Sequence, residues 1–135
     1  MKVCETVPSK KEIDIVVNNL KNSYSKYSNF RVSALLKTKG DKDNIFLGVN
    51  VENAGIQSIC AERSAFVSAI SNGKREFEYL LLVADEYVLP CGYCRQFISE
   101  FVDKDFKIYV YDIQSETIFK YTINELLPNG FSFNK

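Results

Sequence analysis

The 135-residue chain contains no histidine. That absence removes Ser-His-Asp triads, Cys-His pairs and His-x-x-His zinc sites in one step. Any metal site must use thiolates or carboxylates, and any general base must be Glu, Asp, Lys, Tyr, Cys or a terminus. Net charge is missing too. Lys+Arg is 17 and Asp+Glu is 17, so composition lacks the basic footprint of a nucleic-acid binder and argues against a polynucleotide partner. No apolar run approaches the roughly 20 residues that span a bilayer; the longest, Tyr79–Val83, is strand-sized. A membrane partner is therefore not expected. Met1–Lys11 is polar and lacks the apolar middle of a signal peptide. These features predict a cytoplasmic protein in a reducing compartment, where disulfides are the less expected use of its four cysteines. Repeats and Pro-rich or Gly/Ser-rich linkers are absent, so residues 1–135 read as one domain.

What is present is periodic. Ile13, Val16, Val17 and Leu20 follow helical spacing behind Ser9, a candidate cap. Arg31–Lys37 and Ile45–Val51 read as strands joined by the polar turn Gly40–Asn44. Ala61–Ser71 reads as a helix stopped by Asn72-Gly73. Tyr79–Val83 reads as a strand buried on both faces. Gly92–Phe101 is a helix after Pro90, Lys107–Tyr111 and Thr117–Thr122 are strands, and Ile123–Leu127 is a short helix stopped by Pro128. This order predicts a central sheet with helices on its faces. The alternation from Ile45 to Tyr111 favours parallel pairing there.

Three cysteines fall into two groups, Cys60-Ala61-Glu62 and Pro90-Cys91-Gly92-Tyr93-Cys94, each at the start of a predicted helix. Free backbone N–H groups and the positive dipole end favour thiolate there. Two such starts side by side present three thiolates to one point, an incomplete tetrahedron that leaves a zinc ion one open position. Three thiolates leave the centre formally negative, and Arg63 is the candidate to offset them from beside the ligands, with Arg95 a second. Glu62, two residues after a ligand, can face the open position as proton shuttle. Each member alone has a plainer meaning. Cys91 and Cys94 fit a redox motif equally well, Cys60 fits a small buried hydrophobe, and Glu62 a solvated first-turn residue. Cys4 reads as structural or incidental, unless a closed four-ligand zinc site in a non-catalytic domain recruits it.

The joint pattern, a ligand-x-Glu followed by Pro-Cys-x-x-Cys, is the signature of zinc deaminases. The chain resembles the small, three-cysteine cytidine deaminases. The likeness extends through Tyr27-Ser28-Asn29-Phe30-Arg31-Val32, Asn50-Val51-Glu52-Asn53-Ala54 and Glu125-Leu126-Leu127-Pro128-Asn129-Gly130-Phe131. The resemblance implies an α/β fold of three α-β-α layers around a mixed five-stranded sheet. It implies one Zn²⁺ per subunit on Cys60, Cys91 and Cys94, and Glu62 moving protons between the attacking water, ring N3 and departing ammonia. The backbone N–H of Ala61 would hold the pyrimidine carbonyl, and Phe30 would lie against the base. Asn50, Val51 and Glu52 form the ribose segment, with Asn50 and Glu52 bonding the 3′-hydroxyl. Phe131 would reach a neighbouring subunit's site in a homotetramer. The implied reaction is deamination of cytidine and deoxycytidine in pyrimidine nucleoside salvage. The alternative substrate is a modified cytosine nucleoside such as blasticidin S, against which the retained Asn50-Val51-Glu52-Asn53 argues. Two departures from the family pattern are Ser33, where a Gly is usual, and a loop at Gly55–Ser58 one residue short and lacking a Tyr.

Overall fold

Ser9 does cap the first helix, α1 (Lys10–Asn18). The Glu12 N–H donates to Ser9 Oγ at 3.1 Å, and the Ser9 N–H donates to Glu12 Oε1 at 3.4 Å, a reciprocal capping box. A 3₁₀ turn, Asn19–Asn22, extends it. The computed structural model describes residues 8–40, 44–55 and 58–131. Cys4, Ile56, Gln57 and part of the Gly40–Asn44 turn lie outside them. The strands are β1 (Val32–Thr38), β2 (Ile45–Val49), β3 (Phe77–Ala84), β4 (Lys107–Asp112) and β5 (Thr117–Thr122). The remaining helices are α2 (Ala61–Ser71), α3 (Gly92–Ser99) and α4 (Ile123–Leu126).

The five strands form one mixed sheet in the order β2-β1-β3-β4-β5. Of the five strands only β3 and β4 pair in parallel, which narrows the parallel pairing expected from Ile45 to Tyr111. β1 pairs antiparallel with both β2 and β3. It therefore fills the place beside β3 that β2 would need. β2 runs in the same direction as β3 without touching it, and that shared direction matters for the site.

Alternation along the strands sorts side chains onto two faces. Leu35, Tyr79, Leu81, Val83 and Tyr109 meet Val16 and Leu20, so α1 covers one face. Ala34, Leu36, Leu80, Leu82, Ile108 and Val110 meet α2, α3 and α4 on the other. Three layers result. Phe66 of α2 is fully buried among Phe77, Phe97, Phe101 and Phe106, with ring centroids 5.1–6.4 Å away. Truncating such a ring to Ala costs about 3–5 kcal/mol. Gly48 of β2 lies directly beneath α2. A Cβ there would sit 2.5 Å from Ala61 O and 2.9 Å from Ser64 Cβ, and would also strike Ala65 N. A glycine inside a strand marks such a close backbone approach.

Candidate functional site

α2 follows β2 and α3 follows β3, and the two strands run in one direction. Both helices therefore begin at the carboxyl ends of their strands, on the same face and at the same edge of the sheet. In open α/β sheets that edge is where ligands bind. Cys60 is the N-cap of α2 and Cys91 the N-cap of α3, both extended at φ −78° and −70°. The Cys94 N–H donates to Cys91 Sγ at 3.4 Å. The Cys91 and Cys94 sulfurs lie 3.5 Å apart, and those of Cys60, Cys91 and Cys94 all lie within 4.8 Å of one another. All three are free thiols. Among the described residues no fourth His, Cys, Asp or Glu joins the group.

Charge is organised around these sulfurs. A hydrogen bond from Cys94 outweighs burial and, with help from Arg63, brings the Cys60 pKa down to about 5. Donation to Cys60, then burial and the nearby Glu62, push the Cys94 thiol up. Burial opposes the Arg63 charge, yet attraction to Cys60 and Cys94 keeps its pKa above the ordinary guanidinium value. Arg63 also donates to the Ser58 carbonyl oxygen at 2.8 Å, and among the described residues its buried Nε has no hydrogen-bond partner. Arg95 is different from its expected role. It donates to the carbonyl oxygens of Pro90 at 2.6 Å and Leu126 at 2.7 Å, which ties the start of α3 to the end of α4. Glu62 is 5% exposed. Its burial raises the carboxyl pKa to about 7, with the Cys60 charge adding and its own backbone N–H only partly opposing. That is the range in which one carboxyl can both accept and release a proton.

A cleft of about 200 Å³ opens beside the sulfurs. Asn50, Glu52, Cys60, Ala61, Glu62 and Cys91 line it. Phe30 and Val51 are not among its lining residues. Val51 is exposed and bridges Tyr24 and Ile59 beyond the end of β2, which is shorter than the expected Ile45–Val51. Phe131 is 62% exposed, and its carbonyl oxygen accepts from Gln96 Nε2 at 3.0 Å. It lines a separate cavity of about 730 Å³ with Val102, Lys104 and Leu127. Within its own chain, Phe131 is thus not brought to the cleft.

Asn50 and Glu52 do more than face the cleft. Asn50 Oδ1 accepts from Ser23 Oγ at 2.5 Å and from the Val32 N–H at 3.0 Å, while Nδ2 donates to Phe30 O at 2.9 Å. Glu52 Oε1 accepts the N–H groups of Tyr27 and Ser28 at 2.9 and 3.0 Å, and Oε2 accepts from Ser28 Oγ at 2.5 Å. These bonds, the Ser28 hydroxyl foremost, hold the Glu52 pKa below its ordinary value. One Nδ2 hydrogen on Asn50 and lone pairs on Glu52 Oε2 remain for a ligand.

A family model described as "Cytidine and deoxycytidylate deaminase zinc-binding region" matches residues 8–110. The chain belongs to the cytidine and deoxycytidylate deaminase family. A probable cytidine deaminase of Dictyostelium discoideum is 40% identical over 124 residues, 89% of this chain and 81% of the relative. A crystal structure of cytidine deaminase from Burkholderia pseudomallei superimposes with a TM-score of 0.80 at 34% identity, covering 88% of this chain and 95% of the other. A blasticidin-S deaminase of Bacillus cereus is 32% identical over 114 residues, 76% of this chain and 78% of the relative.

The residues present suit the zinc that this deaminase family implies. With Zn–S bonds of about 2.3 Å, tetrahedral sulfurs stand roughly 3.8 Å apart. The observed sulfurs, 3.5 Å apart in one pair and within 4.8 Å throughout, bracket that spacing. Arg63 interacts with Cys60 and Cys94, and its Nε, buried without a partner among the described residues, is a donor that suits metal-bound thiolates. Sequence reasoning missed Ser58, Ile59, Val88 and Leu89, which also line the cleft. None carries a motif, and only the folded chain brings them to Cys60. No helix among the described residues is long and apolar enough to cross a membrane.

Proposed function

We propose that this deaminase converts cytidine and deoxycytidine to uridine and deoxyuridine, releasing ammonia, with one Zn²⁺ held by Cys60, Cys91 and Cys94. The observation that carries this reading is the buried Glu62, which shares one cleft with Cys60, Cys91, Asn50 and Glu52, beside the three clustered sulfurs. When bound, zinc supplies a Lewis acid that lowers the pKa of a coordinated water. Glu62 takes the proton that the water must lose and passes it to N3 of the ring, which makes C4 more electrophilic. It later delivers a proton to the departing amino group. Water and cytidine thus become uridine and ammonia without a further reagent. The Ala61 N–H, in the first turn of α2, holds the pyrimidine carbonyl with the help of the helix dipole. The free Nδ2 hydrogen of Asn50 and Oε2 of Glu52 offer a donor and an acceptor to one sugar hydroxyl. As the family resemblance implies, Phe30, which does not line the cleft of the single chain, would lie against the base, and Phe131 would be contributed from a neighbouring subunit of a homotetramer. The family's place in nucleoside salvage supports a cytoplasmic role.

Purified zinc-loaded protein, incubated with cytidine, should show the ultraviolet change to uridine and release one ammonia per turnover. Blasticidin S in a parallel assay should give a far lower kcat/KM. Folded protein with zinc bound and no turnover of cytidine or deoxycytidine would refute the proposal.

A further inference from the structure

Tyr93 stands between two of the clustered cysteines, on the exposed surface of α3, yet its ring is not idle. The Arg63 guanidinium carbon lies 4.7 Å from the centroid of that ring. A cation this close to an aromatic face is attracted by the ring quadrupole. The contact crosses from α2 to α3, the two helices whose starts carry the sulfurs. Arg63 is thereby confined on several sides. Tyr93 covers one face, and the Ser58 carbonyl oxygen takes an N–H at 2.8 Å. The guanidinium charge meets Cys60 and Cys94, and its buried Nε has no hydrogen-bond partner among the described residues.

We infer that Tyr93 is a positioning residue that holds Arg63 against the cysteine sulfurs and so slows the loss of the bound metal. The inference rests on the proposal that Cys60, Cys91 and Cys94 hold zinc. Three thiolates and a divalent ion sum to one negative charge, and one guanidinium cancels it. The Arg95 Nε and Nη1 groups donate to the Pro90 and Leu126 carbonyl oxygens, whereas Arg63 is the arginine that interacts with Cys60 and Cys94. A long, rotamer-rich side chain supplies that charge only where something restrains it. Tyr93 reaches Arg63 from α3, the helix that also bears Cys94.

The test is the rate at which zinc leaves the loaded protein into excess chromophoric chelator. Zinc content is measured first. Loaded protein without zinc on these cysteines would overturn the metal reading itself, and Tyr93's role with it. With zinc bound, Tyr93→Phe should release it at the wild-type rate, because the ring face is kept. Tyr93→Leu and Tyr93→Gln should release it about 2–5-fold faster, the scale of an exposed cation–π contact. Arg63→Gln should release it roughly 10–100-fold faster, as outer partners of metal ligands do. In the Arg63→Gln background, Tyr93→Leu should add nothing. Unchanged release from both Tyr93→Leu and Tyr93→Gln would overturn Tyr93's role while leaving the zinc reading intact. So would an equal acceleration in the Arg63→Gln background, since Tyr93 would then act without the guanidinium.

Discussion

Adding one methyl group to β2 tests how the site is held. Ordinary contact begins near 3.4 Å, and a Cβ on Gly48 would sit 2.5 Å from Ala61 O and closer still to Ala65 N, so α2 must retreat by about 1.0 Å. The clash is with helix backbone, which cannot rotate aside as a side chain can. Forcing extra volume into a packed core costs about 1–3 kcal/mol. For a chain of this length that lowers Tm by roughly 4–12 °C. The strain falls at Ala61, between the sulfur of Cys60 and the carboxyl of Glu62. A displacement near 1 Å at reacting groups costs on the order of 100-fold in rate. Gly48→Ala should therefore lower Tm and reduce kcat together in zinc-loaded protein, read by circular dichroism melting and by cytidine turnover. Gly92→Ala is the control. It lies inside the cysteine motif, but a Cβ there meets nothing within 4 Å, so its Tm should stay at or slightly above the parent value. A Gly48→Ala protein with parental Tm and kcat would refute the idea that close helix–strand approach sets the site.

Glu62→Gln should keep zinc and fold but lose roughly 10²–10⁴ in kcat, because an amide cannot carry a proton; substantial residual turnover at full zinc loading would remove Glu62 from its role. Cys91→Ala should purify without zinc and melt lower, since the metal joins two helix starts; metal analysis beside a melting curve checks this, and normal zinc content would contradict it. Glu12, outside the site, accepts from Tyr79 Oη and from Lys37 Nζ at 2.7 Å. Burial raises its pKa, but the bonds from Lys37 and Tyr79 prevail and lower it. A lowered carboxylate pKa stabilises the fold above the unfolded-state value, and that stability fades as pH falls through the folded value. Glu12→Gln should thus cost about 1–3 kcal/mol near neutrality, and its Tm gap from the parent should close in acid; a gap constant with pH would exclude ionisation as the cause.

Local features were legible because their physics is local. Ser9 announces the cap of α1, and Asn72-Gly73 announces a helix end, with Gly73 at φ +88°. Ser9 alone points to the cap; its reciprocal partner Glu12, and the second box of Thr122 with Glu125 on α4, follow the same three-residue spacing. The unbroken apolar run of β3 correctly announced burial on both faces. Nonlocal facts were not legible. Nothing in Arg31–Lys37 says that β1 will sit between β2 and β3. Arg95 follows a cysteine in sequence, yet Leu126, 31 residues on, provides one of its acceptors. The face bearing Asn50 and Glu52 would, on alternation alone, be solvent-exposed, whereas both side chains pin the segment from Ser23 to Val32.

That pinning separates two duties of Glu52 that one substitution can divide. In Glu52→Gln the amide oxygen can still accept the Tyr27 and Ser28 N–H groups, and the amide nitrogen can donate to Ser28 Oγ, which exchanges its donor role for an acceptor one. The Tyr27–Ser28 segment should therefore remain seated, with Tm close to the parent. The acceptor left for a ligand is lost, however, because a donor now stands where Oε2 stood. If Glu52 accepts from a sugar hydroxyl, KM for cytidine should rise about 10–100-fold while kcat changes far less, the scale of a hydrogen bond to a charged group. A substrate analogue whose 3′-hydroxyl is replaced by hydrogen should lose affinity for the parent and show no further loss with Glu52→Gln. Equal KM for parent and variant at equal Tm would confine Glu52 to holding its own chain together.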